Sequence, residues 1–223
     1  MYMKNTILIL SIVTLFFAGC KKDDIFEKGD MGVVNGHVWV DLGLPSGTKW
    51  ATCNIGATSP EEYGDYFAWG DTEPAPNNNY SFSNCPTYGL SASELQSQGY
   101  IDSEGNLTAQ YDAAVANWGG GWRMPTRSEM QELIDKCTWT WTAQNGVNGY
   151  KVTSTVNSNY IFLPAAGYRY GASLKIAGSN GCYWSSTPNY NYHAIYLYFN
   201  SSSRSVGSYD GRYDGRTVRP VIE

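Results

Sequence analysis

Catalysis needs reactive side chains at workable spacing, and this 223-residue chain offers few. It has two histidines, His37 and His193. No Ser or Cys sits in a nucleophile signature such as Gly-x-Ser-x-Gly or Ser-x-x-Lys. Gly119, Gly120 and Gly121 lack the following Lys-Ser/Thr of a phosphate loop, so they suit a tight turn. Asp65, Asp71 and Glu73 could hold calcium or simply form an acidic loop in solvent. The reading is non-enzymatic, with no cofactor and no metal expected. Recognition is better served. The stretch "NYNYHAIYLYFNSSSRSVGSYDGRYDGR", residues 189–216, is built from Tyr, Asn, Ser, Gly, Asp and Arg. Tyr gives wide, rigid contact area, Ser, Gly and Asn adapt their hydrogen bonds, and Arg anchors, as in antibody-type paratopes.

Within that stretch Ile195, Leu197 and Phe199 alternate with Tyr196, Tyr198 and Asn200. A period of two sends the first set to the core and the second to the opposite face. The candidate ligand-binding residues are therefore Tyr190, Asn191, Tyr192, His193, Tyr196, Tyr198, Asn200, Ser202, Arg204, Tyr209, Asp210, Arg212, Tyr213 and Asp214. None of the chain's 35 Lys, Glu, Gln, Met and Trp residues falls between Ser185 and Ile222. Every residue there can be encoded by a codon ending in a pyrimidine. The plainer alternative is an ordinary binding or packing face, because Val152 to Leu174 lacks the same five residue types.

Elements must hold such a face. Asn35-Gly36 between apolar runs marks a hairpin, since both residues tolerate positive φ. Thr48–Cys53, Tyr66–Trp69, Tyr160–Leu163, Cys182–Ser185, Ala194–Phe199 and Thr217–Ile222 read as strands. Ser91 with Glu94 forms a capping box for a short helix stopped by Gly99. Tyr111, Val115 and Trp118 give a second helix. Thr126 with Glu129 opens a third, lined by Met130, Leu133, Ile134 and Cys137. Strands, then helices, then many strands indicate one α+β domain over residues 31–223. The net charge of -5, with basic residues scattered, excludes nucleic acid as an expected partner.

The N-terminus reads separately. One Lys precedes the apolar run Ile7–Phe17, too short to span a membrane comfortably, and Ala18-Gly19 then precede Cys20. This resembles a bacterial lipoprotein signal over residues 1–19, with Cys20 lipidated and a charged tether over residues 20–30; an ordinary signal peptide with a chance Cys is the alternative. Lys22-Asp23-Asp24 resembles a signal for the outer face of the outer membrane, or is only part of a solvated linker. The expected location is a surface-exposed outer-membrane lipoprotein that meets the membrane through its lipid alone. In that oxidising space Cys53, Cys85, Cys137 and Cys182 make one disulfide plausible, with the pairing open and Cys182 equally suited to a buried thiol.

Together, "VDLGLPSGTKWATCNIGA", "YGDYFAWGDTEP", "NWGGGWRMPTRSEMQELI", "IFLPAAGYRYG", "YWSSTP" and "TVRPV" resemble the Fibrobacter-type major paralogous domain. The resemblance runs from Val33 to Glu223 and implies a C-type lectin-like fold: short twisted antiparallel strands, two to three helices and long loops. "RMPTRSEMQEL" is similar to the helix start of formylglycine-generating enzymes, whose catalytic cysteine pair has no counterpart here. "EPAPN" at Glu73–Asn77 only approximates the calcium-lectin tripeptide and lacks its Trp-Asn-Asp partner. The C-terminal segment is similar to variable segments of diversity-generating retroelements. Trp118, Trp122, Trp139, Trp141 and Trp184 are expected in the core. Arg123 and Arg219 suit either bonding to loop carbonyls or solvation. The expected function is surface ligand binding, to a glycan or a protein, as an adhesin or receptor; a structural envelope protein whose face packs on another subunit is the alternative.

Overall fold

The computed structural model describes residues 30–223, apart from the side chains of Ser208 and Tyr209. The signal at residues 1–19, Cys20 and the tether up to residue 29 lie outside the described residues. The described chain is α+β, with antiparallel sheets and three α-helices.

The described residues open on β1 (Met31–Val34) and β2 (His37–Val40), joined by Asn35 and Gly36 at φ of 48° and 81°. Positive φ at both turn residues is what a two-residue hairpin with the right twist demands. β3 (Lys49–Ala51) pairs with β2, and β12 (Val221–Ile222) pairs with β3. The first and last strands among the described residues thus share one sheet, in the order β1-β2-β3-β12.

The helices follow a long loop. α1 (Ala92–Ser97) and α3 (Arg127–Lys136) carry the expected capping boxes, from Ser91 and Thr126. α2 (Ala113–Trp118) starts later than expected. Asp112 accepts from the backbone N–H of Ala114 and Val115 and makes a stronger cap, leaving Tyr111 in a preceding 3-10 turn. Cys137 does not close α3; it opens β4 (Cys137–Gln144).

β4 pairs with β5 (Val147–Ser154), and β5 with β6 (Tyr160–Pro164). β7 (Tyr168–Tyr170) and β8 (Ser173–Lys175) form a small hairpin. β9 (Asn180–Asn189), β10 (His193–Asn200) and β11 (Arg204–Gly211) form the C-terminal sheet with β10 at its centre. The stretch expected as a strand at Tyr66–Trp69 makes only one bridge, Phe67 to Arg216. Only the last two residues of Thr217–Ile222 are strand.

The core lies on both sides of the C-terminal sheet. Ala194 and Tyr196 pack with Trp69, Trp118, Trp122 and Trp184, while Leu197 and Phe199 pack with Trp50, Trp139 and Tyr150. This corrects the one-wet-face expectation for β10. Alternation is present, but Tyr196 is only 9% exposed because a second apolar layer covers its face. Trp141 is half-buried, and the other four expected tryptophans are buried.

The segment after β11 is likewise interior. Arg212, Asp214, Arg216 and Arg219 are buried there, so Arg212 and Asp214 are not the exposed contacts expected of them. Arg219 donates to the carbonyls of Ala51 and Thr52, and to Asn54 Oδ1. Arg123 donates to the Met124 carbonyl at 3.4 Å and also pairs with Glu129 and Glu223. Nor is there a disulfide among the described residues: Cys53, Cys85, Cys137 and Cys182 are all free. The last three are buried in three separate clusters, which keeps the sulfurs from pairing.

Candidate functional site

β9, β10 and β11 project two turns from opposite ends of one sheet. Eight-residue β10 separates them by roughly 23 Å at the usual rise per residue. The candidate residues therefore divide between two ends and an interior.

One end is aromatic. Tyr190, Asn191 and Tyr192 form the exposed turn from β9 to β10. Tyr88 reaches the Tyr192 ring at 5.1 Å and the Tyr213 ring at 5.3 Å. Phe82 extends the set to Tyr88 at 6.0 Å, and Tyr170 extends it to Tyr213 at 6.2 Å. Tilted and edge-on pairs at these separations are favourable ring contacts. The rings are not hidden: Tyr190 is 77% exposed, Phe82 65%, Tyr170 55% and Tyr192 50%. Isolated exposed aromatics need no explanation, but a joined group of them marks a contact surface. Between Pro76 and Ser91, the loop supplying Phe82 and Tyr88, there is no Asp, Glu, Lys, Arg or His. This loop is aromatic and uncharged, with Ser and Asn between the rings; the half-exposed Asp210, paired with Arg216, lies near Tyr213.

Arg212 holds this end together from beneath. Its Nη1 donates to the carbonyls of Thr87 (2.7 Å) and Leu90 (2.9 Å), its Nη2 to Tyr190 (2.7 Å), and its Nε to His193 (2.9 Å). The guanidinium also lies 5.1 Å from the Trp69 ring centre. All four acceptors are neutral, and burial lowers its pKa to about 10. One side chain thus ties the β9–β10 turn to the Tyr88 loop. Tyr190 sits at φ 25°, a conformation that a bulky residue adopts only when its surroundings enforce it.

The other end is self-contained. Asn200 Oδ1 accepts from the backbone N–H groups of Ser202 and Ser203, both at 2.9 Å, closing the β10–β11 turn. Tyr198 Oη accepts from Asn180 and Asn200. Arg204 lies 5.6 Å from the Trp139 ring centre. These groups mostly organise the turn itself. His193 is half-buried, and the Tyr209 side chain lies outside the described residues.

The interior group is ionic. Arg216 is fully buried against the rings of Tyr196 (4.0 Å) and Trp184 (4.5 Å). Its Nη2 pairs with Asp210 at 2.7 Å and with Asp214 at 3.4 Å. This cluster is part of the scaffold.

Of the candidate residues, Tyr190, Asn191, Tyr192 and Tyr213 lie at this one end, and Phe82, Tyr88 and Tyr170, which were not among the candidates, join them there. A signal existed for Phe82 and Tyr88, because "YSFSNCPTYG" shares the Tyr/Ser/Asn composition of the C-terminal stretch. Among the described residues, no three His, Cys, Asp or Glu groups come together as a metal site.

A family model described as a domain of unknown function (DUF8237) matches residues 139–221. That span holds the C-terminal sheet, Arg212 and Tyr213, and excludes Phe82 and Tyr88. No curated protein and no solved structure matches the chain.

Proposed function

We propose that the chain is a non-enzymatic binding module, adhesin- or receptor-like, that holds a neutral glycan on the aromatic end of its C-terminal sheet. The observation that carries this is the joined group Phe82–Tyr88–Tyr192–Tyr213–Tyr170, in which Phe82, Tyr192 and Tyr170 are exposed and Tyr88 and Tyr213 partly so, beside a loop without charged residues. A sugar ring offers an apolar C–H face and a rim of hydroxyls. The first suits the electron-rich face of Tyr and Phe, and the second suits Ser, Asn and phenol groups. The loop that supplies Phe82 and Tyr88 offers a charged protein partner no opposing charge.

The N-terminal sequence supports a wider setting: a lipoprotein anchored through Cys20 on the outer membrane, with the domain facing outward. Short antiparallel strands, three helices and a first sheet shared by both ends of the domain support a C-type lectin-like fold of the Fibrobacter-type major paralogous family. Diversification of residues 185–222 by a retroelement fits the exposed turns, though not the buried Tyr196, Arg212 and Asp214, whose variation would disturb the core.

Retention of the purified protein on neutral polysaccharides such as glucan, mannan and xylan tests the proposal. Tyr192→Ala and Tyr88→Ala should each weaken retention about tenfold or more, with the circular dichroism spectrum unchanged. Arg204→Ala, at the far end, should not. Retention that ignores both tyrosines, or capture of a protein ligand alone, would overturn the glycan assignment.

A further inference from the structure

A cavity of about 400 Å³ lies beside the β1–β2 hairpin and shares no residue with the aromatic end. Its size suits a small molecule. The imidazole of His37 lies flat on Trp118 in its wall, with ring centres 3.7 Å apart and planes 7° apart. Glu61 supplies the only formal charge among the lining residues; no Lys or Arg lines it. Asn145 donates to one Glu61 oxygen at 2.6 Å, and Gln144 donates to the other at 3.3 Å. Asn145 is fixed in the left-handed region of the β4–β5 turn, at φ 48°. The two amides orient the carboxylate without neutralising it. Burial acts to raise the Glu61 pKa, but hydrogen bonds from Asn145, its own backbone, Gln144 and Ser59 together outweigh it and the net shift is downward. Burial also lowers the His37 pKa, which keeps the ring neutral near pH 7.

A preformed hollow with an aromatic wall and one oriented, unneutralised carboxylate is complementary to a positive charge on an organic body. A bare metal ion is disfavoured, since no three ligating side chains converge among the described residues. An anion would meet Glu61. We infer that this cavity is a binding site for a small organic cation, a primary or quaternary ammonium compound.

Cys53 lines the cavity and is the only free cysteine among the described four that is not buried, so its alkylation reports on occupancy. The purified protein is titrated with choline and with putrescine by calorimetry. The neutral isosteres 3,3-dimethylbutanol and 1,4-butanediol serve as controls. Iodoacetamide labelling at Cys53 is followed by peptide mass in parallel. At least one cation should bind, quench tryptophan fluorescence and slow Cys53 labelling, while its neutral isostere does none of these. Glu61→Gln should weaken that binding about tenfold or more, while Tyr192→Ala leaves it unchanged. Equal binding of the isosteres, or unchanged Cys53 labelling with both cations in the wild-type protein, would overturn the assignment whether or not Glu61→Gln folds.

Discussion

Asp214 combines burial with poor satisfaction. Its Oδ1 has no hydrogen-bond partner, and its Oδ2 lies 3.4 Å from an Arg216 nitrogen that sits closer to Asp210. Burial therefore dominates over the Arg216 charge and pushes its pKa to about 7. An unfolded aspartate titrates near ~3.9, so the folded state holds this proton more tightly. The resulting stability is full below about pH 4 and is lost as pH rises toward 7. Asp214→Asn should thus be more stable than wild type at pH 8 by on the order of 1–3 kcal/mol, with the gap closing by pH 4 to 5. Urea denaturation across that range checks it. A variant less stable at pH 8 would mean that the ionised carboxylate supports Arg216 after all. The sequence could not have shown this environment. "SYDGRYDGR" reads as a polar turn, whereas in the fold Arg216 lies under Trp184 and Tyr196 and Asp214 is buried beside it.

Elements whose ends are set locally were legible. The capping boxes at Ser91 and Thr126 and the Asn35-Gly36 hairpin form where their residues require. Asn145-Gly146 carries the same turn signal between β4 and β5, with φ of 48° and 83°, and would have revealed that hairpin. The joining of loops was not legible, because it runs through Arg212 to carbonyls 122 and 125 residues away. Arg212→Lys should release the β9–β10 turn from the Tyr88 loop. A single ammonium cannot serve four carbonyls arranged for a planar fork. The expected loss is about 2–4 kcal/mol of stability, with weakened polysaccharide retention even where the fold survives. Thermal unfolding and the retention assay together separate the two effects. Retention equal to wild type would show that Arg212 stabilises the loops without shaping the binding surface.

At the scale of the whole molecule, fold class follows from the order of elements, whereas layering does not. β10 is central in its sheet and lies between two aromatic clusters, so a period-two pattern that normally marks one wet face here divides two cores. The same layering decides the cysteines. Cys182 lies in the cluster around Trp184, Cys137 in the one around Trp139, and Cys85 in a third with Tyr66 and Tyr80. Burial raises the pKa of each of these thiols to about 11, which suppresses the thiolate that exchange chemistry needs. The domain should therefore owe nothing to cross-links, despite the oxidising compartment expected from its N-terminus. A native disulfide typically contributes ~2–4 kcal/mol, which in a domain of this size corresponds to a Tm change of roughly 5–15 °C. Adding a reductant that cleaves disulfides should instead leave Tm within about 2 °C, and the denatured domain over residues 31–223, which lacks Cys20, should titrate with four free thiols from Cys53, Cys85, Cys137 and Cys182. A fall of several degrees on reduction, or two missing thiols, would show that two of these clusters approach one another in solution.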